Sequence, residues 1–230
     1  MSWSFLTESP MSAGRKGGIL PIIISTLLIL SVCLAVVVPL GLTTAIYLSE
    51  KNPSSWVRKS VEVLSGVPSI VFGLFGNALF SIYLGLGFSI LSGGLTLALM
   101  SLPLFVTTVE KGIRSMPTKY SQVGNSLGLS KLTMMRSIVF PYALPSIIVG
   151  IVLSVGRSLA ETAALIFTSG YVDRMPESLL DSGRSLSIHI YDLTMNVPGG
   201  DTNAYKTSFV LIFMIVLTNI LVNMTLKAWH

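Results

Sequence analysis

Long runs without a charged residue are the feature that most restricts the fold of this chain. Four such runs stand out: Ile19–Ser49, Val63–Val109, Tyr142–Gly156 and Thr207–Leu226. An α-helix needs about 20 apolar residues to cross a bilayer, and most of these runs reach that length. Only 11% of the 230 residues are charged, against about 25% in soluble domains. The chain is therefore predicted to be an integral membrane protein.

The charge-free runs predict five membrane-spanning helices. The run from Val63 to Val109 must hold two of them, because a single helix of that length would extend roughly 70 Å. The glycines of Leu84–Gly87 mark the break, since glycine weakens a helix. The predicted spans are Ile19–Leu48, Val63–Gly87, Phe88–Val109, Leu144–Thr168 and Thr207–Leu226.

Proline lies deep inside three of the predicted spans, at Pro39, Pro68 and Pro103. The backbone groups that proline frees must be satisfied by neighbouring helices or must line a cavity. Ordinary kinking explains any one of them, because proline is common in membrane helices. Three interrupted spans in one small protein favour a transport path over a simple anchor.

Lysine and arginine are unevenly divided between the two sides that the spans define. One side carries nine: Lys51, Arg58, Lys59, Lys111, Arg114, Lys119, Lys131, Arg136 and Lys227. The other carries five: Arg15, Lys16, Arg174, Arg184 and Lys206. Because basic residues collect in cytoplasmic loops, the N-terminus is predicted outside and the C-terminus inside. Arg15 and Lys16 alone favour the reverse, but the alternation of the other loops outweighs them.

Residues 19–230 are predicted to form a single membrane domain, because no repeat or low-complexity segment divides them. Residues 1–18 precede it as an extracytoplasmic segment. Residues 110–141 are expected to form a cytoplasmic loop. Residues 169–206 form the predicted extracytoplasmic loop between the last two spans, which carries five acidic residues.

The cytoplasmic loop has the pattern of a helix, a turn and a second helix. Apolar residues at helical spacing precede Gly128, which is a favourable residue for ending a helix. Ser130 is a suitable N-cap for a second, short helix, and Pro141 is expected to mark re-entry into the membrane. A short helix across the cytoplasmic mouth can dock into a groove on a soluble partner.

This loop resembles the cytoplasmic motif of ABC importer permeases, in which E-A-A, three residues, G, nine residues and I-x-L-P follow one another. Gly128, Ile138 and Pro141 fall at the motif's spacing, whereas Gln122-Val123-Gly124 replaces the triplet and Phe140 replaces leucine. The resemblance implies that the loop contacts an ATPase subunit. The residues that it assigns to this contact are Gln122, Val123, Gly124, Gly128, Leu129, Ser130, Ile138 and Pro141.

Three further stretches resemble phosphate ABC permeases. Residues 39–50 match P-L-G…A-I-Y-L-x-E, and residues 62–76 match E-x-L-x-G-x-P-S-I-V-x-G-x-x-G. Residues 157–163 match R-x-x-G-E-T-A except that Ala160 replaces the glycine. The stretches at 161–165 and 187–191 are more similar to the PstA-type subunit than to its PstC-type partner.

The resemblance implies an all-α transmembrane protein: a five-span permease of the type I, MetI-like importer fold with a cytoplasmic coupling helix. It also implies inorganic phosphate as the substrate. The expected partners are a PstC-like permease, two copies of a PstB-like ATPase that bind ATP and Mg, and an extracytoplasmic PstS-like binding protein. The expected location is the plasma (inner) membrane of a prokaryote, where the bilayer itself is a partner.

Arg157 and Glu161 are the only charged residues within the five predicted spans. Each costs about 2.5–3.5 kcal/mol on insertion scales, so both should face protein or a water-filled path. Their spacing of four residues places them on one face of a continuous helix. They either form a buried ion pair that holds helices or closes a gate, or Arg157 binds the oxyanion through its guanidinium fork.

Glu161 offers a basis for selecting phosphate. At neutral pH phosphate keeps a proton that it can donate to a carboxylate, whereas sulfate has none, so Glu161 is predicted to disfavour sulfate. Ser69 and Thr162 complete the predicted substrate path, although a lone helix hydroxyl more often just bonds its own backbone.

The sequence lacks the motifs of several other functions. It has no G-x-x-x-x-G-K-[ST] phosphate loop, so the chain is expected not to hydrolyse ATP by itself and to carry no cofactor. Its histidines are isolated and it has one cysteine, so no metal site is predicted. No nucleic-acid partner is expected. Two alternatives remain: a permease for another oxyanion such as sulfate or molybdate, and an ion-coupled secondary transporter.

Overall fold

The computed structural model of the chain describes residues 3–50, 53–120, 126 and 128–227, which form mostly long helices. The helices are α1 (Trp3–Thr7), α2 (Leu20–Ser49), α3 (Ser55–Ser65), α4 (Ser69–Gly76), α5 (Ile90–Arg114), α6 (Lys131–Ala160), α7 (Ala163–Ile166), α8 (Leu186–Met195) and α9 (Asp201–Lys227). Residues 118–120 are also helical. A two-stranded antiparallel hairpin, β1 (Pro10–Met11) and β2 (Lys16–Gly17), lies between α1 and α2.

Four of these helices, α2, α5, α6 and α9, are individually long and apolar enough to cross a membrane. The pair α3 and α4, which is bent by 107° and continues as a π-helix over Asn77–Tyr83, brings the number of candidate spans to five. The prediction of an all-α, five-span architecture is confirmed, with the small hairpin as an addition.

The core forms where α2 and α6 pack along the two sides of α5. Phe105 of α5 is fully buried between two glycines. A Cβ on Gly41 of α2 would collide with its ring, and a Cβ on Gly150 of α6 would lie 3.0 Å from it. Small residues at such crossings let membrane helices approach closely.

Serine side chains define where three helices begin. Ser89, Ser130 and Ser185 each accept a hydrogen bond from the backbone N–H three residues later, at 3.1 or 3.2 Å. Each bond satisfies one of the amides left free at a helix start. The N-cap predicted at Ser130 is therefore confirmed.

The second predicted span, Val63–Gly87, is not one continuous helix. The chain is helical from Ser55, bends at residues 66–68 and starts again at Ser69. Pro68 has no N–H to continue a helix, which explains the break. Pro39 and Pro103, by contrast, lie inside continuous helices, so the expected interruption occurs at one of the three prolines. The predicted break at Leu84–Gly87 is confirmed, because the helical segment ends at Tyr83 and Gly85 and Gly87 adopt positive φ angles of 70° and 62°.

The fourth predicted span, Leu144–Thr168, differs from helix α6 at both ends. Helix α6 begins at Lys131 and runs through Pro141 without stopping, so this proline does not mark a separate element. A π-helical turn at Met135–Val139 comes just before it. This wider turn changes the backbone pairing where proline supplies no donor. At the other end α6 stops at Ala160, eight residues before the predicted limit.

The two segments predicted to be extracytoplasmic pack against each other and against the ends of α2 and α9. Five buried apolar residues form this contact: Phe5, Ile19, Ile22, Leu186 and Val210. The loop between the last two spans is not irregular, because it contains α8, and α9 begins at Asp201, six residues earlier than predicted. Residues 3–18 therefore cover the end of the bundle where α8 lies.

Candidate functional site

A contact between three helices marks the middle of the bundle. Ser158 Oγ of α6 lies 3.2 Å from Ser101 Oγ of α5 and 3.7 Å from Cys33 Sγ of α2. Ser101 is eleven residues from the start of α5 and thirteen from its end. About 16 Å and 20 Å of helix therefore extend on its two sides. Arg157, the neighbour of Ser158, lies at this middle level.

Arg157 is exposed on the surface of the single chain. It shares a stripe of α6 with three exposed residues at helical spacing: Val149, Leu153 and Ala160. Within the described part of the chain it forms no ion pair, and the described salt bridges involve other arginines. A cation at this depth is costly unless it meets protein or water. Helix α6 therefore presents at this level a cation that pairs with no described acidic residue.

Glu161 lies just beyond the end of α6, where the backbone becomes extended (φ −76°, ψ 127°). Its carboxylate Oε1 accepts a hydrogen bond from the backbone N–H of Ala164 at 3.1 Å. Its carbonyl accepts a second bond, from Ser187 Oγ at 2.5 Å. The prediction that Arg157 and Glu161 share one helix face is therefore wrong, because the helix ends between them. Among the described residues, they also form no ion pair with each other.

Ser69 and Thr162 stand at the starts of two neighbouring short helices. Ser69 is the first residue of α4, and Thr162 directly precedes α7. The two helices touch, because a Cβ on Gly73 of α4 would lie 2.8 Å from the Cα of Ala164 in α7. Ser69, Glu161 and Thr162 are all half-buried. We call these three residues, which lie where α4, α6 and α7 meet, the junction.

A second charged cluster lies at the ends of α2 and α5. The Oε1 atom of Glu110 is 2.8 Å from Arg58 Nη2 and 2.8 Å from Arg114 Nε. Both arginines also donate to the carbonyl of Leu48, at 3.2 Å and 2.6 Å. The Glu110 side chain is only 8% exposed. We call these four residues the rim cluster; it joins the end of α2 to α3 and α5.

Sequence reasoning missed the rim cluster, although part of its signal was available. Glu110 and Arg114 are spaced i,i+4 with the acid first, which is the favourable order on a helix. The partner Arg58 is 52 residues away in sequence. Only the fold reveals that contact.

The predicted coupling loop is described in part. Gly128 has the left-handed φ of 63° expected of a residue that ends a helix. Leu129 and Ile138 are half-buried, and Ser130 is exposed. Gln122, Val123 and Gly124 lie outside the described residues. Two contacts hold the base of the loop: Tyr142 Oη donates to the Ser115 carbonyl at 3.2 Å, and its ring lies 6.1 Å from that of Tyr120.

A third charged cluster lies in the loop between α7 and α9. Arg184 Nη1 is 3.0 Å from Asp192 Oδ2, and its Nε donates to the Tyr171 carbonyl at 2.7 Å. His189 is fully buried beside them, with Nδ1 3.3 Å from Arg184 Nη1. Burial, together with the Arg184 charge, lowers the pKa of His189 to about 4. This histidine is therefore neutral at physiological pH.

The N-terminal hairpin closes over this cluster. Asn203 Nδ2 donates to the carbonyls of Gly14 and Arg15, both at 3.0 Å. Gly14 lies against the His189 ring, and a Cβ at this position would collide with it. Within the described ranges no group of His, Cys, Asp and Glu side chains is arranged to hold a metal ion.

Comparison with known proteins identifies the family. Residues 37–228 match the model of the family described as "Binding-protein-dependent transport system inner membrane component". The chain is 29% identical over 239 residues to the probable ABC transporter permease protein YqgI of Bacillus subtilis, covering 96% of this chain and 81% of that protein. It is 32% identical over 223 residues to the phosphate transport system permease protein PstA of Mycobacterium leprae, covering 95% and 73%. The predicted resemblance to PstA-type subunits is confirmed.

The fold is similar to that of solved importer permeases. A chain of the inward-facing MetNI methionine ABC transporter superposes with a TM-score of 0.71 at 14% identity, covering 93% of this chain and 94% of that one. This likeness confirms the predicted MetI-like fold. Such permeases lack an ATPase site of their own and work with further subunits. The chain belongs to the family of binding-protein-dependent transport system inner membrane components, the multi-pass permease subunits of ABC importers.

Proposed function

We propose that this chain forms one half of the translocation path of an importer for inorganic phosphate. The observation that carries the proposal is Arg157, an unpaired cation at the middle level of the bundle, exposed on the face of α6. Relatives whose names specify phosphate transport support the choice of substrate. A permease that works with a second permease subunit leaves one face of its path open until the two associate.

Arg157 suits an oxyanion for physical reasons. Its guanidinium offers a planar fork of donors that matches two oxygens of a phosphate. At the middle of a membrane the surrounding dielectric is low, so attraction to an anion is stronger than in water. The absence of a partner within the described chain leaves this fork available for the substrate or for an acidic residue of the second permease.

The junction supplies the groups that would complete recognition. Glu161 uses Oε1 to hold the Ala164 amide, while Oε2 accepts no hydrogen bond from the described residues. In the proposed role this second oxygen accepts the proton that phosphate retains and sulfate lacks. Ser69 and Thr162, on the same junction, offer neutral hydroxyl donors.

The proposed assembly contains a PstC-like second permease, two PstB-like ATPases and a PstS-like binding protein outside. ATP and Mg would be bound by the ATPases, and this chain would carry no cofactor. The loop at 110–141, with Gly128 and the Ser130 cap at its turn, would receive the ATPase. The rim cluster ties the start of this loop to α2 and α3, so movement of the loop would be passed to those helices. The proposed location is a prokaryotic plasma membrane, with the N-terminus outside and the C-terminus inside.

Uptake of radiolabelled phosphate by the assembled transporter in proteoliposomes tests the proposal. Arg157→Gln should lower uptake by at least about 100-fold, because it removes roughly 3 kcal/mol of charged hydrogen bonding. Arg15→Gln, which removes an exposed arginine of the N-terminal hairpin outside the proposed path and the coupling loop, is the matched control and should leave uptake within twofold. Normal uptake by the Arg157→Gln transporter would show that this residue is not on the path.

Competition with unlabelled anions in the same assay decides the substrate. Arsenate should compete with phosphate, whereas sulfate and molybdate should not. A stronger effect of sulfate or molybdate would favour a permease for that oxyanion. Uptake that continues without ATPase subunits and ATP would instead favour an ion-coupled secondary transporter.

A further inference from the structure

Helix α3 divides its surface into three sectors of different chemistry. At about 100° per residue, Val57, Arg58 and Val61 face the protein, where they are buried or half-buried. An arc of about 100° is mainly apolar and holds Trp56, Ser60, Val63 and Leu64. The remaining arc is polar and holds Ser55, Lys59 and Glu62, all exposed. One sector of α3 contacts protein. The separation of the other two into an apolar and a polar sector indicates that one of them faces an apolar medium and the other faces water.

The apolar sector is strongly exposed. Trp56 is 75% exposed and Val63 is 69% exposed, values unusual for residues of this size in water. These two side chains, with Ser60, Leu64 and the stem of Lys59, form an open groove along α3. In the described part of the chain nothing covers it.

The fold places α3 at one end of the bundle. Arg58 is joined to Glu110, which is only four residues before the end of α5. Farther along, Ser81 Oγ lies 2.7 Å from Ser92 Oγ, next to the start of α5. The segment from Ser69 to Ser81 therefore runs along the first half of α5, in the opposite direction to that helix. Because α3 is bent by 107° from that segment, it runs across the bundle end, near the level where α2 and α5 end.

We propose that α3 is an interfacial helix that lies in the bilayer surface on the side of the coupling loop. Trp56, Val63 and Leu64 enter the boundary between the headgroups and acyl chains, and Glu62 faces the aqueous side. Tryptophan favours this boundary because its ring is apolar and its N–H is polar. The exposed apolar face of α3 continues into the exposed side chains of Ile70 and Leu74. The lipid that surrounds the bundle can therefore extend along this face and cover the groove of α3.

Lys59 gives the surface a preference for anionic lipid. It lies at the edge of the same groove, between the apolar and polar sectors. From there its stem follows the apolar groove while the ammonium group reaches a lipid phosphate. Arg58, the adjacent cation, is already committed to Glu110 and Leu48. Lys59 is therefore the cation of α3 that meets phosphatidylglycerol.

Site-directed spin labelling of the assembled transporter in phosphatidylglycerol-containing vesicles tests this inference. Labels would be attached to Trp56→Cys, Val63→Cys and Glu62→Cys in turn, with unlabelled partner subunits. Cys33, the one cysteine of the sequence, is fully buried, so we expect the label not to reach it. Labels at 56 and 63 should collide at least about threefold more often with oxygen, which concentrates in lipid, than with a water-soluble nickel chelate. The label at 62 should show the reverse order.

Glu177→Cys, in the exposed loop between α7 and α8, is the aqueous control. Access of the nickel chelate to labels at 56 and 63, equal to that at 177, would overturn the inference by placing α3 in water. Shielding from both reagents would overturn it too, because another subunit would then cover the groove. The readout needs no transport, so its failure is distinct from failure of the phosphate assignment.

A second variant tests the part played by Lys59. Lys59→Glu should move the label at 56 toward water in vesicles containing phosphatidylglycerol, and should leave it unmoved in pure phosphatidylcholine. An equal shift in both lipids, or none in either, would refute the assignment of Lys59 to an anionic headgroup.

Discussion

The rim cluster and the middle of α6 both contain arginine, but the arginines are paired at the rim and unpaired in the middle of α6. At the rim, two guanidinium groups share one carboxylate and one carbonyl, and the chain satisfies them by itself. At the middle level, Arg157 has no ion-pair partner among the described residues, although its position in the membrane is the more costly one. A charge that the chain neutralises internally serves its structure. We propose that the charge left unpaired where this costs most, that of Arg157, is kept for the substrate or for another subunit.

The largest effect on stability is expected at the rim. Glu110→Gln removes the charge that two arginines share, and should lower the free energy of unfolding by about 3 kcal/mol, the low end for a buried ion pair, because both arginines are partly exposed. Thermal unfolding of the solubilised complex measures this. Arg157→Gln is the control and should unfold like the unmodified complex. A comparable loss in both variants would remove the distinction between the two sites.

The external cluster should show the next largest effect, as a dependence on pH. His189 has a pKa lowered to about 4 in the folded chain and about 6.5 when unfolded. Protons therefore favour the unfolded chain, and stability present above pH 6.5 is lost as the pH falls toward 4. At pH 5 the loss is about 2 kcal/mol relative to pH 7.5.

The measurement compares unfolding at pH 7.5 and pH 5 for the unmodified complex and for His189→Gln, which cannot titrate in this range. The variant should lose less stability over this interval. An equal loss of stability in the unmodified complex and in the His189→Gln variant would show that His189 takes up protons in the folded state. The external cluster would then resemble the unpaired Arg157 and not the paired rim cluster.

A moderate effect is expected at the junction. Glu161→Gln retains an oxygen that can accept from the Ala164 amide but removes the negative charge. Phosphate uptake in the presence of excess sulfate should fall about tenfold relative to uptake without sulfate, equivalent to about 1.4 kcal/mol. Glu161→Asp, which keeps the charge on a shorter side chain, should preserve most of the preference. Unchanged discrimination in Glu161→Gln would leave Glu161 as a helix-start residue only.

The smallest effect is expected beside Arg157 itself. Ser158→Ala removes the hydroxyl that contacts Ser101 and Cys33. Hydrogen bonds between membrane helices contribute about 0.6 kcal/mol each, so thermal unfolding should change little and phosphate uptake should stay within twofold. A large loss of uptake would extend the path to the buried side of α6.

The sequence predicted those features that depend on local chemistry. Charge-free runs locate the membrane helices because a bilayer requires uninterrupted apolar length. The turns at Gly85 and Gly128 and the cap at Ser130 were also predictable, because a left-handed backbone and a helix start each have a residue preference.

Most of the misplaced features depend on distant residues. Helix α6 stops before Glu161, whose carbonyl is held by Ser187, 26 residues farther along the chain. Similarly, the pairing of Arg58 with Glu110 needs the packing of α3 on α5. One misplaced boundary is local instead: α6 passes through Pro141 directly after a π-helical turn, and spacing rules that assume 3.6 residues per turn do not detect such turns.

That π-helical turn has a consequence for how the chain tolerates changes in length. Such a turn holds one residue more than a regular α-helical turn, so Met135–Val139 acts as a single-residue insertion within α6. Deleting one residue elsewhere in a membrane helix rotates everything on one side of the deletion by about 100°. Deleting one residue within Met135–Val139 would restore regular α-helical geometry and leave the two ends of α6 in the same orientation relative to each other. Helix α6 thus contains a place where the loss of one codon should leave the orientation of its membrane-spanning part unchanged.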